Sequence, residues 1–402
     1  MSLRRKAVPQ VARSQTESKS FPAPVLGWVS AQNQAAAKPG TALVLENWFP
    51  TATGIQLMGG SQKHGTASAT LPCRALMTYQ GAASQKMFGT TETAIFDLST
   101  PADPDVAPAS VVSGRTDGYY SSANFVTVAG NYMYACNDLD APLIYDGSTW
   151  TTVTGVSTPA ITGVTGGTTG MTHVSVYRNR LAFAKGTSVW FLPVDVIGGA
   201  AIEVSLAGIF KRGGYVMFTA SWSQDSGAGL DDKFVAVSSE GEFAVYQGSD
   251  PSDPTDWSLV GVYDFPAPLG KNGYMRAGGD LLVLTEAGMV SIGQAVVKDV
   301  AALGLAAVSR NIQPDWIFDA RERRGLPWEV VKWPSRNRAI ISCPVTGDDS
   351  TTPPWCYVVN LETGAWAKRT GWNTRCMTLF NEFVYFGSNN GAVYQADITG
   401  AD

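Results

Sequence analysis

An all-β fold built from repeated small sheets is what this sequence predicts, on three observations. The 402-residue chain carries only 16% charged residues but 42 Gly and 22 Pro. Charge well under the roughly 25% of average soluble domains, with many turn formers, favours strands joined by frequent turns. Short apolar runs come in pairs across a Gly-containing turn, the pattern of a β-hairpin with little solvent contact on either face. The pairs return every ~44–58 residues, a period of radially repeated sheets and not of helical solenoids.

Taken in order, residues 21–28 read as extended, because Pro22 and Pro24 push their predecessors out of helical geometry. A strand at 42–49, a turn at 51–54 and a strand at 55–58 follow. Hairpins then occupy 86–97, 131–147, 180–192, 233–246, 280–292, 338–360 and 382–396. Further strand candidates at 125–128, 215–218 and 328–331 bring each unit to three or four strands. Trp150, Trp257 and Trp366 sit just outside hairpins and are expected to fill the space between units.

This grammar predicts a β-propeller of about seven blades, six to eight being compatible with it, over 41–402. An extended, partly basic arm over 1–40 precedes it. The segment near 298–325 lacks turn signals and has helical spacing, so it is expected to be a small helical insertion. The last hairpin is apolar throughout 383–386 and is expected to be covered on both faces, with its turn at 387–391. An isolated ribbon of this size is marginal, so the last blade needs a strand from elsewhere. The strands at 42–49 or 55–58 are the expected donors, setting Leu43, Leu45 and Trp48 against Phe383 and Tyr385.

Charge and residue chemistry narrow the function. The net charge is −5, so no global basic field attracts nucleic acid. Only the N-terminal arm is basic, through Arg4, Arg5, Lys6, Arg13 and Lys19, which makes it a candidate to order on a partner. No apolar leader core and no run of about 20 apolar residues is present, so stable membrane association is not expected. Five cysteines without CxxC spacing argue against a metal site or a disulfide framework, and Cys343 and Cys356 are expected to be core thiols. Two histidines, His64 in an expected turn and His173 before a strand, offer little to a triad or a metal centre. No phosphate loop, dinucleotide fingerprint or nucleophile elbow occurs. The stretch 223–227 partly matches an Asp-box turn without its Trp, and a glycosidase also needs two carboxylates in one pocket. The expectation is a protein without catalytic residues, cofactor or metal.

The stretch 43–57, with Asn47-Trp48-Phe49-Pro50-Thr51 at its centre, and the Gly59-Gly60-Ser61-Gln62-Lys63-His64 segment after it resemble the tail nozzle, or tail tubular, proteins of short-tailed bacteriophages and prophages. Residues 128–132, 141–150, 245–251 and 371–373 look similar as well, so the resemblance runs from about residue 22 to the end. It implies a structural virion protein assembled in the bacterial cytoplasm and located in the viral tail. As a homo-oligomer, expected to be a hexamer, it forms a ring below the portal and adaptor proteins and meets tail fibre or needle proteins. That ring lines and seals the exit channel through which genomic DNA passes. In that setting Arg4, Arg5, Lys6, Arg13 and Lys19 are the expected adaptor contacts. The other reading of the same pattern is a receptor- or glycan-binding propeller, with polar tips such as 347–352 as binding loops.

Overall fold

The computed structural model describes residues 21–31, 37–225, 230–344 and 354–398. Seven small antiparallel sheets follow one another along the chain and close into a ring, a seven-bladed β-propeller. In four-stranded blades 1 to 4 and 6, each strand pairs with the one before it from the axis outward, so every blade starts with its innermost strand. Those inner strands are Leu76–Gln80, Ser121–Thr127, His173–Tyr177, Val216–Asp225, Tyr274–Ala277, Val330–Trp333 and Thr374–Phe380. Each of the seven predicted hairpins supplies the second and third strands of one blade. The second strands of blades 3 and 6, Arg180–Lys185 and Arg338–Cys343, are buried along almost their whole length, the burial that unbroken apolar runs anticipate.

Tight turns follow local chemistry. In blade 3, Tyr177 pairs with Arg180 across Arg178 and Asn179, both at positive φ; in blade 7, Phe380 pairs with Phe383 across Asn381 and Glu382, likewise both positive. Positive φ at both central residues is what a two-residue turn matched to strand twist requires. The predicted turn 387–391 is shorter in the structure, because the strand Phe383–Ser388 runs through Gly387. A Cβ at Gly387 would lie 2.5 Å from Cys73 Sγ and 2.6 Å from Cys376 Sγ. This glycine is therefore a packing requirement and not a turn signal.

Blade 5 has three strands, ending at Gly288–Ser291. Ser291 closes that strand and caps helix α1 (Ile292–Val297), its hydroxyl accepting from Gln294 N at 3.0 Å. Helices α2 (Val300–Ala306, capped by Asp299) and α3 (Gln313–Glu322) follow, and the three pack against the outer strand of this blade. The insertion thus begins earlier than 298 and stands where other blades have a fourth strand. Trp316 of α3 is fully buried against Trp328, Tyr357 and Trp366, tying the insertion to blade 6. Trp150 meets Phe88 of blade 1, and Trp257 lies between Phe191 of blade 3 and Phe234 of blade 4, as inter-blade fillers.

Closure differs from the expectation in its strand. The outermost strand of blade 7 is Gly60–Thr66, antiparallel to Ala392–Ile398. The last blade is completed from the N-terminal side, but not by 42–49 or 55–58, and Leu43, Leu45 and Trp48 do not pair with Phe383 or Tyr385. Trp48–Pro50 and Ile55–Leu57 pair only with each other as a ribbon outside the blades. The reason is visible in their packing: Leu45 and Phe49 turn into the side of blade 6, while Ile55, Gln56 and Leu57 are all exposed. Phe383 is 41% exposed at a hairpin tip, whereas Val384 to Ser388 are buried. Coverage on both faces therefore begins at Val384.

The arm is likewise not free along its whole expected length. Trp28 is buried, stacks on Tyr357 at 6.0 Å and donates its backbone N–H to the Trp366 carbonyl at 2.7 Å. A Cβ on Gly27, at φ +78°, would fall 2.6 Å from that same carbonyl. The five basic residues Arg4, Arg5, Lys6, Arg13 and Lys19 lie outside the described residues, as do the 347–352 tip and part of the 223–227 motif. The described part of that motif is strand: Asp225 pairs with Leu230 at the far end of a long blade 4 hairpin.

Candidate functional site

Because each blade begins with its inner strand, the segments that enter the blades converge at one end of the axis. A cavity of about 400 Å³ opens there. Arg74, Tyr119, Thr172, Tyr215, Lys271 and Leu326 line it, one from the entry segment of each of blades 1 to 6. Asp117 joins from the blade 2 entry, and Asn137 and Asp138 from the end of that blade's second strand.

Its rim is held by buried polar contacts. Asn137 Nδ2 donates to the Asp117 carbonyl and to Asp140 Oδ2, both at 2.7 Å. Arg115 Nε donates to Tyr120 Oη at 3.0 Å and lies 3.4 Å from Asp140. Burial pushes the Asp140 carboxyl upward, but hydrogen bonds from Thr116 and Asn137 outweigh it and hold the group below the usual carboxylate range. Asp138 sits at φ +78° and accepts from Thr172 Oγ1 at 2.6 Å. This network fixes Asp117 and Asp138 at the cavity edge.

Lys271 is 5% exposed, with its ammonium 4.7 Å from the centre of the Tyr119 ring. It forms no ion pair with a described carboxylate. Burial lowers its pKa to about 8, against the pull of Cys136, Asp138, Asp117 and Glu329, which act in the opposite sense. Glu329 is also buried and is pushed up to about 7 by burial, although Asn272 Nδ2 donates to it at 3.1 Å and Met377 N at 3.0 Å. Asn272 Nδ2 also donates to the Tyr120 carbonyl at 3.0 Å, so residues entering blades 2 and 5 bridge the axis at this level.

His173 opens the inner strand of blade 3 and is buried. Its Nδ1 accepts from Thr219 N at 3.3 Å, so in the neutral ring Nε2 carries the proton and donates to Tyr274 Oη at 3.1 Å. Burial, then the Lys271 charge, depress its pKa to about 3. A ring held neutral between two fixed partners is a structural histidine and not a base. His64 lies in the closure strand and not in a turn. Its Nε2 donates to the Leu98 carbonyl at 2.8 Å, with the ring edge-on to Tyr385 at 4.8 Å.

All five cysteines are free and buried. Cys343 pairs with Trp355 and Cys356 with Ser342, so those two thiols are offset by one position. Burial raises the Cys356 pKa to about 11. The close thiol pair is instead Cys73 and Cys376, 3.7 Å apart where the first and last blades meet. No group of three or more metal-ligating side chains occurs among the described residues.

Sequence reasoning did not single out Lys271, Glu329, Tyr119, Asp117 or Asp138. The available signal was positional: Gly270-Lys271-Asn272-Gly273 directly precedes an inner strand. A Cβ at Gly270 would lie 2.7 Å from the Trp328 carbonyl, which is why that position admits only glycine next to the lysine.

No family model matches the chain, and no curated protein matches it. Solved structures do. The extracellular domain of BT4673 from B. thetaiotaomicron aligns with a TM-score of 0.51 at 9% identity over 88% of this chain, and the chain spans 44% of that protein's length. The computationally designed Ika8 protein aligns at 0.45, 11% identity, over 84% of this chain and 100% of its own. BBS1N, solved in complex with ARL6DN, aligns at 0.49, 10% identity, over 89% and 99%. At such identities the likeness bears on the fold alone. The class the blades define is the seven-bladed β-propeller.

Proposed function

We propose that this chain is a tail nozzle subunit of a short-tailed bacteriophage or prophage, a structural and non-enzymatic component of the viral tail. The observation that carries the reading is the stretch 43–57, where the sequence resemblance is strongest. It is not part of any blade: it forms the outer ribbon, docked on blade 6 and presenting apolar side chains outward. Asn47, at φ +60°, anchors it by donating Nδ2 to Thr370 Oγ1 at 2.8 Å and accepting Thr370 N on Oδ1 at 3.0 Å. Trp48, Ile55 and Leu57 stay exposed, and exposed apolar groups gathered on one ribbon are the usual mark of a contact surface. In the proposed ring they face a neighbouring subunit. The bridge between Asn272 and Tyr120 closes the propeller's own axis, so DNA would pass between subunits and not through a blade ring. The −5 net charge keeps such a lumen from holding phosphate. Portal, adaptor and fibre or needle contacts belong to this proposal.

Electron microscopy of the purified protein, alone and with DNA-filled heads, tests it. Rings that cap the portal vertex are expected. A protein that stays monomeric and never caps that vertex overturns the reading. One observation favours a second reading, a ligand-binding propeller: the axial cavity with its buried lysine.

A further inference from the structure

Lys271 is a buried cation with no ion pair among the described residues, although Asp138, Asp117 and Glu329 act on it from beyond contact distance. Buried charges are ordinarily paired with an opposite charge or bound to a ligand, because desolvation is expensive. Lys271 instead lines an open cavity with a Tyr119 ring beneath its ammonium. Across the cavity, Asp117 uses Oδ1 to accept Gly118 N at 2.8 Å, and Asp138 uses Oδ1 to accept the Thr172 hydroxyl. Neither Oδ2 has a hydrogen-bond partner among the described residues. The cavity therefore offers the Lys271 ammonium, the Arg74 guanidinium that Glu92 already pairs, two carboxylate acceptors and the rings of Tyr119 and Tyr215. Its volume lies at the lower end of the ~300–1,000 Å³ typical of small-molecule sites.

We propose that the axial cavity binds a small acidic sugar, with its anionic group on the Lys271 ammonium and its hydroxyls donating to Asp117 and Asp138. An anion alone would satisfy Lys271 but would be repelled by the two carboxylates. A neutral sugar would satisfy the carboxylates but leave the ammonium without an ion-pair partner in contact. A molecule carrying both an anionic group and vicinal hydroxyls meets both demands, and Tyr215 lines the same cavity. A carboxylate and a phosphate ester supply the same chemistry to Lys271. This inference stands independently of the nozzle proposal.

Titration calorimetry on the full chain at pH 7 tests it, with glucuronate, glucose 6-phosphate, glucose and inorganic phosphate as probes. Saturable one-site binding of glucuronate or glucose 6-phosphate is expected, with glucose and inorganic phosphate each at least tenfold weaker. Whichever acidic sugar binds identifies the anionic group. K271M should weaken that binding at least tenfold and K271R should retain part of it. D138N, in which Asn tolerates the same positive φ, should weaken the sugar acid while leaving inorganic phosphate no weaker. Circular dichroism with a cooperative melt shows that each variant is folded. Absence of saturable binding by both acidic sugars overturns the proposal. So does glucose or inorganic phosphate matching them, or a folded K271M that binds like the wild type.

Discussion

Arg338 and Lys271 are both buried cations, and the fold treats them in opposite ways. Arg338, in blade 6, donates Nη1 to Asp397 Oδ2 at 3.0 Å, with both side chains 6% exposed. Its guanidinium also covers the Phe49 ring at 4.1 Å. Asp397 in turn accepts the Gly59 backbone N–H on Oδ1 at 2.6 Å, immediately before the closure strand. One ion pair thus joins blade 6, the last strand of blade 7, the start of the closure strand and the outer ribbon. Lys271 has a tyrosine ring and an open cavity. Arg338 is matched by an ion pair within the chain; Lys271, where the axis opens, has no such pair among the described residues.

Breaking the matched pair should have the largest effect. Asp397→Ala leaves Arg338 buried and uncompensated, for which a loss of about 3–5 kcal/mol is typical. Urea unfolding followed by both fluorescence and circular dichroism should show it as loss of the whole propeller. A variant within about 1 kcal/mol of wild type would mean that the closure does not depend on this pair.

The unmatched cation predicts the opposite sign. Lys271→Met removes a buried charge whose pKa is depressed from 10.5 to about 8, and each pKa unit corresponds to about 1.4 kcal/mol. The variant should therefore be more stable than wild type at pH 7, by up to about 3 kcal/mol in urea unfolding. A destabilised Lys271→Met would assign the lysine to the scaffold.

The smallest effect is expected at Phe383. Paired with a closure strand, as the sequence predicts, Phe383 would make Phe383→Asp destabilise the whole domain; with Phe383 41% exposed at a hairpin tip, a loss of about 1 kcal/mol or less is expected. A thermal melt in which Phe383→Asp loses far more than that would show that the tip is covered, as a ring neighbour would cover it.

The contrast between the two sites also marks how far the sequence could be read. The seven hairpins were legible because Arg180–Lys185, Asp280–Thr285 and Phe383–Ser388 each carry apolar runs beside short turns, a local signal. The need for an N-terminal closure strand followed from strand counting. Its identity did not, because Gly60–Thr66, GSQKHGT, is polar. It is held by backbone pairing at an outer edge, where apolar patterning is not required. The ribbon at Trp48–Leu57 looks more like a core strand than the true closure strand does. The axial cavity was least legible. Its residues come from six entry segments far apart in sequence and from the end of blade 2's second strand, and only the closed ring brings Lys271 to Asp117 and Asp138. The buried pair Arg338 and Asp397, 59 positions apart, was hidden for the same reason.

The central claim is that Lys271 is carried as a buried charge without an ion-pair partner. Its most direct test is the stability difference between Lys271→Met and wild type, measured by urea unfolding at pH 7 and again at pH 10.5. Cys136, Asp117, Asp138, Glu329 and the Tyr119 ring all act on the ammonium; Glu329 is itself held down by the Lys271 charge, so its carboxyl titrates higher in Lys271→Met and lowers the variant's advantage in the same direction as the pH rises. With the folded pKa at about 8 and the unfolded value near 10.5, the unfolded wild type binds more protons than the folded form throughout that window. Wild-type stability relative to the variant therefore rises with pH between 8 and 10.5. The account predicts that the advantage of Lys271→Met is full at pH 7 and mostly gone at pH 10.5. An advantage that is the same at both pH values, or absent at pH 7, would contradict it.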